Sequence, residues 1–183
     1  MEFADYVATR RGALLRFATV LCGQTWLAED LVSDVLGRAF ERWERIGVMT
    51  EPHAYVRRMV VNEYLSWRRR LARTAPRADL APTMPPVDDG AQAQAERDAM
   101  IARLARLPRR QRAAVVLRYY AGLSDSEIAA ELDCRESTVR SQIARALATL
   151  RLDSAAPPAR PAPVHASRHA SPPASPHVSL ETR

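Results

Sequence analysis

The sequence predicts an all-α protein: an N-terminal helical bundle and a C-terminal four-helix domain with a helix-turn-helix, joined by a flexible linker and followed by a disordered tail. Three observations predict it. Apolar residues recur three and four apart through residues 3–73 and 96–152, without the strict alternation of strands. A stretch rich in helix breakers, 74–95, divides these two regions. Residues 153–183 are Pro, Ala, Ser and His-rich, and bury too little apolar surface to offset their chain entropy.

In the first domain, 1–73, Phe3, Val7, Leu14, Phe17 and Leu21 mark one helix, which Gly23 ends. A second carries Leu27, Leu31, Val35, Ala39 and Trp43 at four-residue spacing. Its flanking Val32, Leu36 and Phe40 widen the stripe for packing on two neighbours. Glu29, Asp30, Ser33, Asp34, Arg38 and Glu41 occupy its outer face. After the loop from Ile46, Pro52 opens a third helix, with Val56, Met59, Val60, Tyr64 and Trp67 inward and Arg57, Arg58 and Arg68 to Arg70 near its ends. Trp43, Tyr55, Tyr64 and Trp67 read as core residues rather than stacking platforms. The linker contains Pro76, Pro82, Pro85, Pro86 and Gly90, and helical pattern resumes near Ala95.

Composition narrows the function classes. The formal charge of +6 favours a polyanionic partner, and all 27 basic residues are arginine. Arginine offers a planar fork of donors suited to phosphates and guanine edges. Cys22 and Cys134 match no zinc or redox spacing, so they read as reduced, mostly buried thiols. The first residues, acidic and without a long apolar run, do not read as a signal peptide. No stretch approaches the roughly 20 apolar residues of a membrane span. The expected compartment is the cytoplasm, with no membrane partner, cofactor or metal.

The segment Leu123 to Leu150 carries the strongest motif. Ser124 and Glu127 form a capping box, and Ile128, Ala129 and Leu132 face inward, with Ala129 small where a second helix must cross. Asp133 to Glu136 makes a turn, and Ser137 is the expected cap of the next helix. There Val139, Ile143, Leu147 and Leu150 form a buried stripe. Thr138, Arg140, Ser141, Gln142 and Arg145 remain outside, where a recognition helix places donors and acceptors in the major groove. The bland alternative is a helical hairpin with a solvated polar face.

The stretch LPRRQRAAVVLRYYAGLSDSEIAAELDCRESTVRSQIARALATLR resembles the promoter-reading C-terminal domain of sigma-70-family factors. The upstream AEDLVSDVLGRAFERW and EPHAYVRRMVVNEYLSWRRR resemble that family's core-binding and minus-10-reading helices. The two-domain layout is similar to the extracytoplasmic-function group, and the wording to its actinobacterial sigma-E-type members. The resemblance covers roughly residues 3–73 and 96–152. It implies promoter-specific transcription initiation, with core RNA polymerase and promoter DNA as partners. It admits an anti-sigma factor too, although no residue pattern in the chain points to one.

Carried over by position, the resemblance assigns Asp30, Ser33 and Asp34 to docking on the clamp helices of the polymerase largest subunit. Ser33 stands where the family often has Gln. Without the resemblance, this acidic face reads as a solvated helix surface. Asn62 matches a residue beside a flipped-base pocket, Arg57 and Arg58 hold the backbone, and Val61 stands where Arg is frequent. The loop Ile46 to His53 corresponds to a specificity loop that Met49 or His53 would line, although His53 reads first as a surface residue. Arg140, Ser141 and Arg145 match minus-35 readers, with Thr138 near a phosphate. Gln142 replaces a commonly basic residue, and Ala144 is small where an aromatic can occur.

Two other classes compete. A response-regulator-type activator shares the helix-turn-helix but needs a receiver or ligand domain, and residues 3–73 lack an alternating strand pattern for one. A nuclease would need more carboxylates or histidines than Glu29, Asp30 and Asp34 on one helix. His165 and His169 have i, i+4 spacing, but in a tail expected to be too loose for a metal site.

Overall fold

The computed structural model describes residues 1–66 and 91–155, with side chains described from 92 to 151 in the second stretch. These residues form eight helices and no strand. They are α1 (Phe3–Cys22), α2 (Thr25–Phe40), α3 (Trp43–Ile46), α4 (Pro52–Ser66), α5 (Ala91–Ala105), α6 (Arg109–Tyr119), α7 (Asp125–Leu132) and α8 (Glu136–Ala155). Trp67, linker residues up to Gly90 and tail residues from Ala156 lie outside the described residues.

In the N-terminal half, α1 and α2 pack together and α4 crosses both. Gly23 ends α1 with φ +80°, and its N–H donates to the Thr19 carbonyl at 2.8 Å. A side chain at that backbone angle would be strained, and an added Cβ would sit 3.1 Å from the Ala105 Cβ. The expected second helix does not run unbroken to Trp43. Arg42 leaves helical geometry at φ −120°, and Trp43 starts the separate turn α3. There its ring packs on Tyr6 and Phe3, with centroids 4.8 and 5.2 Å away, and its indole N–H donates to the Met1 carbonyl at 2.9 Å.

In α4, Val56, Val60 and Tyr64 are buried as the spacing predicts, but so are Val61 and Glu63. Tyr55, expected in the core, is exposed instead: it lies a quarter-turn away from Val56 on the outer face. Glu63 is tolerated because Arg38 Nη2 lies 2.6 Å from its Oε2, which ties α2 to α4.

In the C-terminal half, α5 begins at Ala91, four residues before the expected restart, because Ala and Gln extend a helix without adding an apolar stripe. Helices α6, α7 and α8 pack around Leu117, Ile128, Val139 and Ala146, all fully buried. The two halves do not stand apart. A single apolar cluster runs from Tyr6 and Leu14 through Val56 to Leu117 and Ala146.

Polar contacts reinforce that junction. Arg112 Nη1 donates to the Leu21 carbonyl at 2.8 Å, and Arg109 Nη1 to the Tyr64 carbonyl at 3.1 Å with its guanidinium 5.3 Å from the Tyr64 ring centre. Arg57 reaches Glu131 Oε1 from Nε at 3.0 Å and from Nη2 at 2.5 Å.

Candidate nucleic-acid interface

The helix-turn-helix forms as its local chemistry dictates. Ser124 is extended at φ −70°, ψ 166°, and its hydroxyl accepts from the Glu127 N–H at 3.3 Å. Glu127 Oε2 returns the bond by accepting from the Ser124 N–H at 2.8 Å and from its hydroxyl. These bonds hold the Glu127 carboxyl below the usual carboxylate range, the Ser124 hydroxyl contributing most. Asp133 ends α7 in the left-handed region at φ 49°, a conformation Asp accepts more readily than most residues.

The next helix starts at Glu136, two residues earlier than a cap at Ser137 would give. The Thr138 and Val139 N–H groups donate to the Arg135 carbonyl, so Ser137 lies inside the first turn and is not the cap. Its carbonyl instead accepts from the Ser141 hydroxyl at 2.9 Å.

Along α8, Val139, Ile143 and Ala146 are buried against α6 and α7. Arg140, Ser141 and Arg145 are exposed, with Thr138 and Gln142 half-buried. At 100° per residue, Ser141, Arg145 and Thr138 lie within about 60° of one another round α8, with Arg140 and Gln142 at opposite edges of that side. Arg140 is not loose within it. Its Nη1 lies 3.4 Å from Glu136 Oε2 and 3.6 Å from Asp125 Oδ2, while Arg118 grips the other oxygen of Asp125. The sequence motif does not single out Asp125 or Glu136 as partners of Arg140, although i, i+4 spacing makes the Glu136 pair findable.

On α4 the structure separates what the sequence grouped. Arg58 and Asn62 are exposed four residues apart, one turn along the same face. Arg57 points about 100° away, into the junction, where it is bound to Glu131. Val61, in a position where the resemblance often has Arg, is fully buried, so it lies on the packing side and not on the Arg58–Asn62 face.

In the adjoining loop Val48 and Met49 are exposed, whereas His53 turns inward with its Nδ1 3.2 Å from the Tyr6 hydroxyl. Burial, with the nearby Arg10 and Arg57 charges, keeps its pKa below the usual histidine value.

The α2 face is acidic and open: Glu29, Asp30, Ser33 and Asp34 are all exposed along it. Among the described residues no group of three or more His, Cys, Asp or Glu side chains converges as a metal site would require. None of the described helices is long and apolar enough to cross a membrane.

Comparison with known proteins bears on both halves. Residues 6–74 match the model for sigma-70 region 2, and residues 97–150 the model for sigma-70 region 4. The chain is 38% identical over 152 residues to the RNA polymerase sigma-E factor of Streptomyces coelicolor, covering 82% of this chain and 85% of that one. It is 32% identical over 144 residues to the ECF RNA polymerase sigma factor SigL of Mycobacterium tuberculosis, covering 76% and 81%.

The sigma factor RpoE, solved in complex with the anti-sigma factor NepR from Bartonella quintana, has a similar fold. Its TM-score is 0.66 at 24% identity, over 82% of this chain and 94% of that one. CnrH, solved with the cytosolic domain of CnrY, aligns at a TM-score of 0.57. With both region models matched in order on an all-helical fold, the chain belongs to the sigma-70 family of RNA polymerase sigma factors, in its extracytoplasmic-function group.

Proposed function

We propose that this sigma factor directs promoter-specific initiation by reading minus-35 duplex with α8 and the melted minus-10 strand with α4, while α2 docks on core RNA polymerase. The observation that carries the reading is the α8 face. Arg140, Ser141 and Arg145 stand exposed above a fully buried Val139, on a helix fixed across a capped α7. In that geometry Arg140 and Arg145 supply bidentate donors for guanine edges or phosphates, and Gln142 an amide that suits adenine. Thr138 contacts a phosphate and Ser141 a base edge.

Arg58 and Asn62 form the minus-10 face, Asn62 hydrogen-bonding the edge of an unstacked base while Arg58 holds the backbone. Arg57 joins them once it leaves Glu131. Asp30, Ser33 and Asp34 meet a basic surface of the polymerase. The protein acts by binding and carries no reaction chemistry of its own, and its site of action is the cytoplasm, where polymerase and promoter meet. An anti-sigma factor is a fitting third partner, given that two proteins of this fold were solved with such partners or a partner's cytosolic domain.

Neither module needs to bind DNA tightly alone, since joining them through polymerase raises the effective concentration of each. Run-off transcription with core polymerase over a library of genomic promoters tests the reading. A promoter-specific transcript dependent on this chain is expected, and its absence across the library would overturn the proposal.

A further inference from the structure

We infer that the cavity between α1, α5, α6 and α8 is a binding site for an amphiphile with one anionic head and one apolar chain, of the medium-chain carboxylate class. The inference is independent of the DNA-reading and polymerase-docking surfaces proposed above, because none of their residues lines the cavity.

The cavity has a volume of about 650 Å³, within the range of small-molecule sites. Its walls are apolar, with Val20 from α1, Met100 and Leu104 from α5, Val116 from α6, and Leu147 and Leu150 from α8. Met100, Tyr119 and Tyr120 leave 48%, 64% and 50% of their surface exposed around it, so the cavity opens to solvent through large apolar side chains. Water there finds few polar partners, and an apolar chain gains by replacing it. Arg16 and Arg97 are the only charged side chains among the described residues that line it.

Their placement gives the cavity a polarity. Arg112 donates to the Leu21 carbonyl of α1 and to the Ala105 and Leu107 carbonyls at the end of α5, so these two helices meet at their C-termini. From Gly23 and Ala105, which face each other there, Arg16 stands seven residues back along α1 and Arg97 eight residues back along α5. At 1.5 Å per residue those are distances of about 10 and 12 Å. The helices also pack on each other, and both arginines line one cavity. The two cations therefore flank the end remote from the helix C-termini, and Val20 and Leu104 occupy the other.

A ligand matched to these walls carries its charge at one end. A cationic amphiphile would meet two like charges, and a short anion would leave the apolar length hydrated. An uncharged chain would gain nothing from the guanidiniums, each of which can grip a carboxylate through two parallel hydrogen bonds.

Isothermal titration calorimetry of the full chain with decanoate tests the site, with 1-decanol as the uncharged chain of equal length and acetate as the head alone. Saturable binding of one decanoate per chain is expected, with 1-decanol about tenfold weaker and acetate not bound. Arg16→Glu reverses a charge at an exposed position and is expected to weaken decanoate about tenfold while leaving 1-decanol unchanged. Arg11→Glu, at an exposed position of α1 that does not line the cavity, is expected to change neither. Met100→Trp fills the mouth and is expected to weaken both about tenfold with helicity retained.

Absence of saturable decanoate binding, or binding that survives both Arg16→Glu and Met100→Trp, overturns the site. A dimer in sedimentation velocity that Met100→Trp dissolves gives the cavity to a second copy of the chain instead. Decanoate uptake only in a chain carrying Val178→Ser with Leu180→Ser gives it to the chain's own C-terminal segment, and likewise overturns the proposal.

Discussion

The guanidinium of Arg112 caps the end of a helix that lies 91 residues before it, donating to the Leu21 carbonyl at the C-terminus of α1. The same side chain also donates to the carbonyls of Ala105 and Leu107 at the end of α5, the latter at 3.2 Å. Last-turn carbonyls have no partner in their own helix, so one buried cation serves two helix ends at once. Burial pulls its pKa below the usual guanidinium value, while Tyr64 and Cys22 oppose that shift.

Replacing Arg112 with Met should strand those carbonyls in the apolar junction. A loss of about 2–4 kcal/mol of stability is expected from buried acceptors left unpaired. Arg112→Lys should recover little, because one ammonium on a thin stem cannot reproduce the planar fork. Urea unfolding followed by circular dichroism checks both, and a loss below about 1 kcal/mol for Met would contradict the capping role.

The capping box predicts a pH signature. Because the Ser124 bonds depress the folded pKa of Glu127, its stabilising contribution is complete above the unfolded carboxylate value, 4.5. That contribution is lost as pH falls through the lower, folded value. Ser124→Ala should cost about 1 kcal/mol at neutral pH. It should also flatten the acid-side dependence of stability, read by comparing unfolding midpoints between neutral pH and pH 3 with those of wild type.

Promoter discrimination should fail selectively at the recognition face. Arg140→Ala and Arg145→Ala are each expected to lose roughly 1–3 kcal/mol of discrimination at one minus-35 position. Asp125→Asn should act more mildly and only through Arg140, since it loosens that guanidinium and its Arg118 neighbour without removing a donor. Transcription from a randomised minus-35 library distinguishes these cases. Wild-type preference in both alanine variants would move the recognition face elsewhere.

Polymerase docking should depend on the exposed α2 acids. Asp30→Arg with Asp34→Arg reverses two charges on that face and leaves the buried Leu31 and Val35 untouched. Loss of at least tenfold in a core-polymerase pull-down is expected, with unchanged helicity. Full retention of binding would remove this face from the interface.

Most of the fold could be read from the sequence because it is written in local periodicity. Ser124 and Glu127, or Val139 and Ile143, are near enough in the chain for spacing alone to place them on the correct faces. Glu63 and Glu131 could not be placed so easily. Each lies on an apolar stripe, and only its position there, three residues after Val60 or Ile128, hints at a distant cation. Their partners Arg38 and Arg57 are 25 and 74 residues away, a separation that periodicity does not encode. For the same reason the sequence grouped Arg57 with Arg58 as neighbours, whereas one residue of helix turns them apart. Ser137 reads as a cap in the sequence because a hydroxyl near a turn satisfies the pattern equally well at the second position of the helix.

The Arg38–Glu63 pair gives the N-terminal half a mechanical character. It welds the helix proposed to meet polymerase to the helix proposed to hold the melted strand, with Val35 and Val60 fully buried. Because α2 and α4 pack along each other, a tilt of α2 would carry α4 and Asn62 with it. In a hybrid factor the two surfaces would have to be inherited together, because a crossover between Phe40 and Pro52 would leave a lever joined to the wrong fulcrum.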